Sequence, residues 1–345
     1  MISVLEDAVK RIGDEQTSLQ TPGFVIAAKA NGKILFKKAF GMADLENGRA
    51  IKPDDTFMIA SNTKQFTCFA ILMLAEQGLL ELDEPIGRFF PEFPAYRNFV
   101  TVRQLMCHTS GIPEYFDAEY SMNESRLRNA DTAEMLKLIH ELGDLEREPD
   151  TKFSYCNSGY VMLGEIIAQL SGKPFGQYLE TEIFAKLGMV HSRAPDDAGS
   201  KDPSLARGYS GGVLQVHDML MVGYADGNVT TNADDLFLWH DYLFGGSPDF
   251  LIRRETLRQM FLPHRLKDNS LVPYGLGLFL DEYDLHKTYS KAHKEIWHTG
   301  STLGYISRVS HFPEDGLCIV MLTNDDCISR DDIFFGVADA IYKSL

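Results

Sequence analysis

The chain has 345 residues, 44% of them hydrophobic, with 33 basic and 49 acidic side chains and a net charge of −16. This length supports a large buried core or two lobes, and the composition excludes disordered, collagen-like and disulfide-dense classes. No Lys/Arg-rich block is present, so the acidic surplus argues against nucleic acid and anionic membranes as partners and is read as solubility.

The first ten residues carry Glu6 and Asp7 among apolar side chains and do not read as a secretory leader. The expectation is a cytoplasmic protein, or an exported one whose leader is absent from this sequence. No stretch reaches transmembrane length, and the longest apolar run, Phe66 to Ala75, is too short. The five cysteines (Cys68, Cys107, Cys156, Cys318 and Cys327) are odd in number and contain no C-x-x-C. That predicts buried free thiols rather than disulfides or a zinc knuckle.

Ile2, Leu5, Val9 and Ile12 recur at helical spacing, and Pro22-Gly23 breaks the chain after them. Phe24 to Ala30 and Ile34 to Phe40 read as strands joined by an Asn31-Gly32 hairpin turn. The middle of the chain reads as helical. Phe66, Phe69 and Met73 share a face ahead of a Gly78 stop, and Thr101/Gln104 and Asp131/Glu134 are capping patterns. Ser158 to Leu170 is a further helix ending at Gly172 and Pro174. Tyr274 to Leu280, Ile306 to Phe312 and Leu317 to Thr323 read as strands, and Asp331 to Tyr342 as a closing helix. The predicted architecture is α+β: an antiparallel sheet built from both termini, flanked by the terminal helices, with a mainly helical insertion. It is expected as one domain, with an α/β lobe of residues 1–60 and 270–345 and a helical lobe of 61–269.

Three local patterns carry chemistry. Ser61-Asn62-Thr63-Lys64 follows the extended run Phe57 to Ala60, so Ser61 sits at a helix N-terminus with Lys64 above it on the same face. An ammonium held away from water is disfavoured against the neutral amine, which can take a serine proton. Alone, the tetrapeptide reads more readily as a capped helix with a solvated lysine. Tyr155-Cys156-Asn157 puts a phenol and an amide two residues apart, on one side of an extended segment. A phenol beside an ammonium is a usable base, and Asn157 can bridge a lysine and a substrate carbonyl. Alone, this pair is equally a core tyrosine with a capping asparagine. His298-Thr299-Gly300-Ser301 precedes the last β segment. Gly300 permits close approach, and the Ser301 and Ser61 N–H groups together would make an oxyanion hole. The bland alternative is a glycine turn with a surface histidine.

In this order, the three patterns resemble those of the serine β-lactamase/penicillin-binding-protein superfamily. The similarity is greatest to its class C-like branch, which also holds D-alanyl-D-alanine carboxypeptidases, D-aminopeptidases and esterases. Ala39 to Asp44, Leu105 to Pro113, Gly227 to Thr231 and Tyr274 to Gly277 look like landmarks of the same branch, so the resemblance covers nearly the whole chain. It implies Ser61 as nucleophile, Lys64 as its proton acceptor or electrostatic partner, and Tyr155 as general base and proton donor to the leaving group. It further implies Asn157, His298, Thr299, Gly300 and Ser301 as substrate-binding residues, with Tyr115 lining the cleft. One departure stands out: His298 replaces the lysine usual at the third motif. A histidine is only partly charged near neutrality, which favours peptidase, amidase or esterase chemistry over β-lactam hydrolysis.

Gly208-Tyr209-Ser210-Gly211-Gly212 matches the G-x-S-x-G elbow of α/β-hydrolases, but that motif needs a buried strand before it, and Asp202 to Arg207 is polar and holds Pro203. There is no H-E-x-x-H and no tight His/Asp cluster, and His286 and His293 fall in a polar stretch. Gly275-x-Gly277 lacks the third glycine of a dinucleotide fingerprint. No metal or cofactor is expected. The reading is a serine hydrolase forming an acyl-enzyme on a D-amino-acid peptide, β-lactam or short ester. The rival reading is a non-catalytic sensor or scaffold of the same fold that binds peptide or β-lactam. Specificity is assigned to the loops Glu114 to Asn129 and Lys201 to Tyr224.

Overall fold

The computed structural model describes residues 2–116, 131–195, 202–215, 225–246, 250–283 and 293–344. Most of the first loop assigned to specificity (117–129), the two ends of the second (201 and 216–224), and His286 lie outside them. The longer helices are α1 (Ile2–Gln16), α2 (Lys64–Glu76), α3 (Thr132–Glu141), α4 (Asn157–Ser171), α5 (Ala233–Phe244) and α6 (Arg330–Ser344). The main sheet contains β1 (Phe24–Ala30), β2 (Lys33–Phe40), β3 (Phe279–Tyr283), β4 (His293–Thr302), β5 (Tyr305–Phe312) and β6 (Leu317–Thr323). Its order is β2-β1-β6-β5-β4-β3, antiparallel throughout. The two chain ends therefore meet at the β1/β6 pair, with Phe24 opposite Thr323.

The strands at the centre of this sheet are apolar on both faces because both faces are covered. Phe24, Ile26 and Ala28 of β1, with Ile319 and Met321 of β6, pack against Leu5 and Val9 of α1 and Ile333, Phe334 and Val337 of α6. Val25, Ala27, Cys318, Val320 and Leu322 point the other way, into the core shared with α2, α4 and α5. The β1–β2 turn uses Asn31 and Gly32 at φ 48° and 77°, the left-handed pair that a two-residue hairpin of this hand requires. The Thr101/Gln104 capping box and the Asp131 cap both form. Four cysteines are buried free thiols; Cys327, contrary to expectation, is exposed.

Helix α2 has no solvated face: Lys64 through Leu74 are all buried. The strand expected from Tyr274 begins only at Phe279. A Cβ on Gly275 would lie 2.0 Å from the Met260 carbonyl oxygen, and one on Gly277 (φ 78°) 2.6 Å from that of Lys64. These glycines therefore lay a close-fitting loop against the start of α2 rather than a pleated strand. The His298 segment lies in strand β4. Its alternation is hidden by charge, because Glu295 is buried in an ion pair with Arg308 of β5, 2.8 Å away.

Candidate active site

Ser61 stands in a 3-10 turn, Ala60–Thr63, that runs straight into α2. Ala60, just before it, holds φ at +48°, a left-handed conformation that costs about 1–2 kcal/mol for a residue with a Cβ. One turn on, Lys64 is fully buried. Its Nζ reaches three oxygens: Ser61 Oγ at 3.0 Å, Asn157 Oδ1 at 2.8 Å and the Asp226 carbonyl at 2.8 Å. Thr63 and Thr67 fix the segment that supplies the last of these. Thr63 Oγ1 accepts from Val229 N at 3.1 Å, and Thr67 Oγ1 donates to the Ala225 carbonyl at 2.6 Å.

Asn157 opens α4, one residue after the extended Cys156. Tyr155 places its ring centre 5.0 Å from Lys64 Nζ. The ring is stacked on His108, with centroids 4.2 Å apart. The Tyr155 hydroxyl is buried and has no hydrogen-bond partner among the described residues. His108 itself sits at φ +58°. Its Nδ1 accepts from Cys156 N at 2.9 Å, which assigns its proton to Nε2. Burial first, then the charge of Lys64, holds His108 well below the usual histidine range.

His298 is buried, not a surface group. Nδ1 lies 2.6 Å from the Thr299 carbonyl and Nε2 lies 3.1 Å from the Tyr274 hydroxyl. A carbonyl only accepts, so Nδ1 carries the proton and Nε2 accepts from Tyr274. Burial, and behind it Lys64, pushes His298 down to about 3. The expectation of a partly charged group is thereby corrected: the ring is neutral near pH 7, and both its nitrogens are already engaged.

Strand β4 is paired to β3 only as far as Trp297, so among the described residues His298 to Thr302 have no strand neighbour on that side. Gly300 brings this stretch onto the Ser61 turn. A Cβ there would meet the Ile59 carbonyl oxygen at 2.0 Å. Ser307 of β5 pins the turn from beneath, donating to the Ile59 carbonyl at 2.7 Å and accepting from Asn62 Nδ2 at 2.8 Å. Gly300 is buried, Thr299 half-buried and Ser301 exposed.

Tyr115, expected to line the cleft, is instead buried, and its hydroxyl donates to Asp226 Oδ2 at 2.7 Å. Two residues the sequence reading missed join it. Asp226 lies under Lys64, its carboxyl pushed up by burial and drawn back by Lys64. Glu114 accepts from the Asn157 backbone N–H, and burial pushes its carboxyl up to about 7. The structure also gathers His240, His311 and Cys318, distant in sequence, with ligand-capable atoms within 4.8 Å. The two Nδ1 atoms are only 3.0 Å apart, the length of an N–H···N hydrogen bond and shorter than the about 3.4 Å that a tetrahedral zinc would impose. Tyr209–Ser210 pairs with Val213–Leu214 across Gly211 and Gly212, so the G-x-S-x-G stretch is a surface hairpin without the helix that a nucleophile elbow needs. Among the described residues, no helix is long and apolar enough to cross a membrane.

A family model described as Beta-lactamase matches residues 5–332. A penicillin-binding protein of Bacillus subtilis (strain 168) is 29% identical over 328 residues, 89% of this chain and 69% of that protein. A D-aminopeptidase of Brucella anthropi is 25% identical over 341 residues, 96% of this chain but 61% of that protein. The chain therefore corresponds to only part of the length of these curated relatives. Among solved structures, the D-amino acid amidase of Ochrobactrum anthropi SV3, complexed with L-phenylalanine amide, aligns with a TM-score of 0.78 at 26% identity over 99% of both chains. With a family model that matches residues 5–332, the chain belongs to the beta-lactamase family of serine hydrolases.

Proposed function

We propose that this chain hydrolyses an amide or ester through an acyl-enzyme on Ser61, in the cleft between the lobe of residues 1–60 and 270–345 and that of 61–269. The observation that carries the reading is the three-way contact of Lys64. Two of its partners, the Asp226 carbonyl and Asn157 Oδ1, can only accept. They occupy two N–H directions of the amine. The third direction points at Ser61 Oγ, which can either accept or donate. Lys64 can thus change from donor to proton acceptor along one 3.0 Å line without moving.

In the proposed cycle Ser61 Oγ attacks the substrate carbonyl carbon while its proton passes to Lys64 Nζ. The Ser61 and Ser301 N–H groups receive the developing oxyanion. As the C–N or C–O bond breaks, the proton reaches the leaving atom through the Tyr155 hydroxyl, which has no hydrogen-bond partner among the described residues. Water then cleaves the acyl ester by the reverse route. Asn157 holds Lys64 and meets the substrate amide, and Thr299 and Gly300 form the wall beside it. A neutral His298 supplies no cation for a substrate carboxylate. That favours D-amino-acid amides and short esters over β-lactams, in keeping with the likeness to a D-amino acid amidase.

The test is intact-protein mass spectrometry with p-nitrophenyl acetate, D-phenylalanine amide and benzylpenicillin, following product in the same run. The expected result is turnover of the first two, an acyl mass mapped to Ser61, and neither with Ser61→Ala. Saturable binding of these probes without an adduct would instead establish a non-catalytic binding protein.

A further inference from the structure

We propose that Glu114 is a positioning residue for Lys64: its carboxylate caps the first turn of α4 and so fixes the Asn157 amide that holds the lysine. The inference rests on the hydrolase reading above and adds a control element to it. The first N–H groups of a helix have no intrahelical acceptor. In α4 the residue at the capping position is Cys156, whose side chain makes no cap bond. Glu114 fills that role from 43 residues away. One carboxylate oxygen accepts from Asn157 N and the other accepts from Phe116 N at 2.9 Å. Its neighbour completes a clamp. Tyr115 N donates to Ser158 Oγ at 3.0 Å, and the Tyr115 hydroxyl donates to Asp226 Oδ2 at 2.7 Å. Two adjacent residues therefore hold both fixed acceptors of Lys64, Asn157 through Glu114 and Asp226 through Tyr115.

The clamp is sensitive to pH. The charged or titratable groups acting on Glu114 are Asp226, which repels its charge, and Lys64, which attracts it; Glu114 in turn bears on the Cys156 thiol. Burial outweighs the rest and brings the carboxyl to about 7. Above that value the carboxylate accepts two N–H bonds. Below it, the protonated carboxyl is a weaker acceptor, the start of α4 loosens, and Asn157 holds Lys64 less firmly. The acylation rate should fall as pH drops through about 7.

The experiment is the pH profile, from 5.5 to 9, of kcat and KM for p-nitrophenyl acetate with the wild type, Glu114→Gln, Glu114→Ala and Tyr115→Phe, each checked by circular dichroism. Glutamine keeps an acceptor but does not titrate, so Glu114→Gln should lower the plateau and remove the acid limb. Glu114→Ala should lower kcat by about ten- to a hundredfold on the alkaline plateau, with a smaller gap at acid pH and little change in KM, as expected for misplacement of a catalytic group. Tyr115→Phe should lower kcat and keep the limb. An acid limb that survives in Glu114→Gln, or a Glu114→Ala plateau equal to wild type, overturns the role of Glu114 while leaving Ser61 acylation intact. Wild-type protein without a Ser61 adduct, or Ser61→Ala with full activity, overturns the hydrolase reading itself and this inference with it.

Discussion

Gly300→Ala tests whether the β4 edge must touch the nucleophile turn. The added Cβ would lie 2.0 Å from the Ile59 carbonyl oxygen and 2.5 Å from Ser307 Oγ, where an ordinary contact begins at 3.4 Å. Neither neighbour is the free end of a flexible chain. One is backbone, and the other is fixed by its bonds to Ile59 and Asn62. Strand and turn must therefore part by about 1.4 Å, enough to break one or both of those bonds. Overpacking of this kind costs about 1–3 kcal/mol of stability. A displacement of about 1 Å between reacting groups costs on the order of a hundredfold in rate. The assay is the first-order acylation rate of Ser61 by mass spectrometry, with thermal unfolding to confirm that the variant is folded. Ser301→Ala, which keeps the backbone N–H, should acylate within about threefold of wild type. If Gly300→Ala acylates as fast as Ser301→Ala while folded, the close approach of β4 has no part in the chemistry.

Two further outcomes follow from the buried groups. Lys64→Met should reduce acylation by about a thousandfold. The melting temperature should hold within about 5 °C, because relief of a buried charge offsets the two acceptors left unpaired; a collapse in stability would make the lysine structural instead. His298→Gln should be more stable relative to wild type as the medium becomes acidic. The folded histidine, held near 3, stays neutral while the unfolded one takes a proton below about 6.5. Stability due to the neutral ring is thus intact above about 6.5 and lost towards 3, at about 1.4 kcal/mol per pH unit. A stability gap between the two proteins that stays constant from pH 8 to 5 would show that the ring is not held neutral.

What could be read from the sequence depended on how far apart the interacting groups lie. Ser61 and Lys64 are one helical turn apart, so their contact follows from helix geometry once the Phe57 to Ala60 run is seen to enter a helix. The Asn31-Gly32 turn and the Thr101/Gln104 box are equally local and form as expected. Asp226 was illegible because it serves Lys64 through its main-chain carbonyl, a contribution that any residue type could make. Glu114 was illegible because an acidic side chain capping a backbone N–H 43 residues away leaves no periodic mark. The run from Leu105 to Pro113 resembles a family landmark, yet only the folded contact shows His108 as the stacking partner of Tyr155. Strand β4 was obscured for a related reason: Glu295 and Arg308 look solvent-facing until each is seen as the other's buried partner.

The charge arrangement around Lys64 explains why two acids stand near it without touching it. Among the described contacts, Nζ meets a hydroxyl, an amide oxygen and a main-chain carbonyl, and no carboxylate. A direct ion pair would stabilise the ammonium and oppose its conversion to a base. Neutral dipoles hold the same position with less bias towards the charged form. Asp226 and Glu114 instead act one step back, through the Asp226 main chain and through the cap of α4. On the opposite side His108 and His298 are kept neutral by burial and by the lysine itself. No second cation is thus added where the leaving group must be protonated. The lysine is thus positioned by neutral dipoles, and the two acidic residues bear on it through a main-chain carbonyl and a helix cap. Replacing the Asn157 amide by a carboxylate would convert that arrangement into an ion pair.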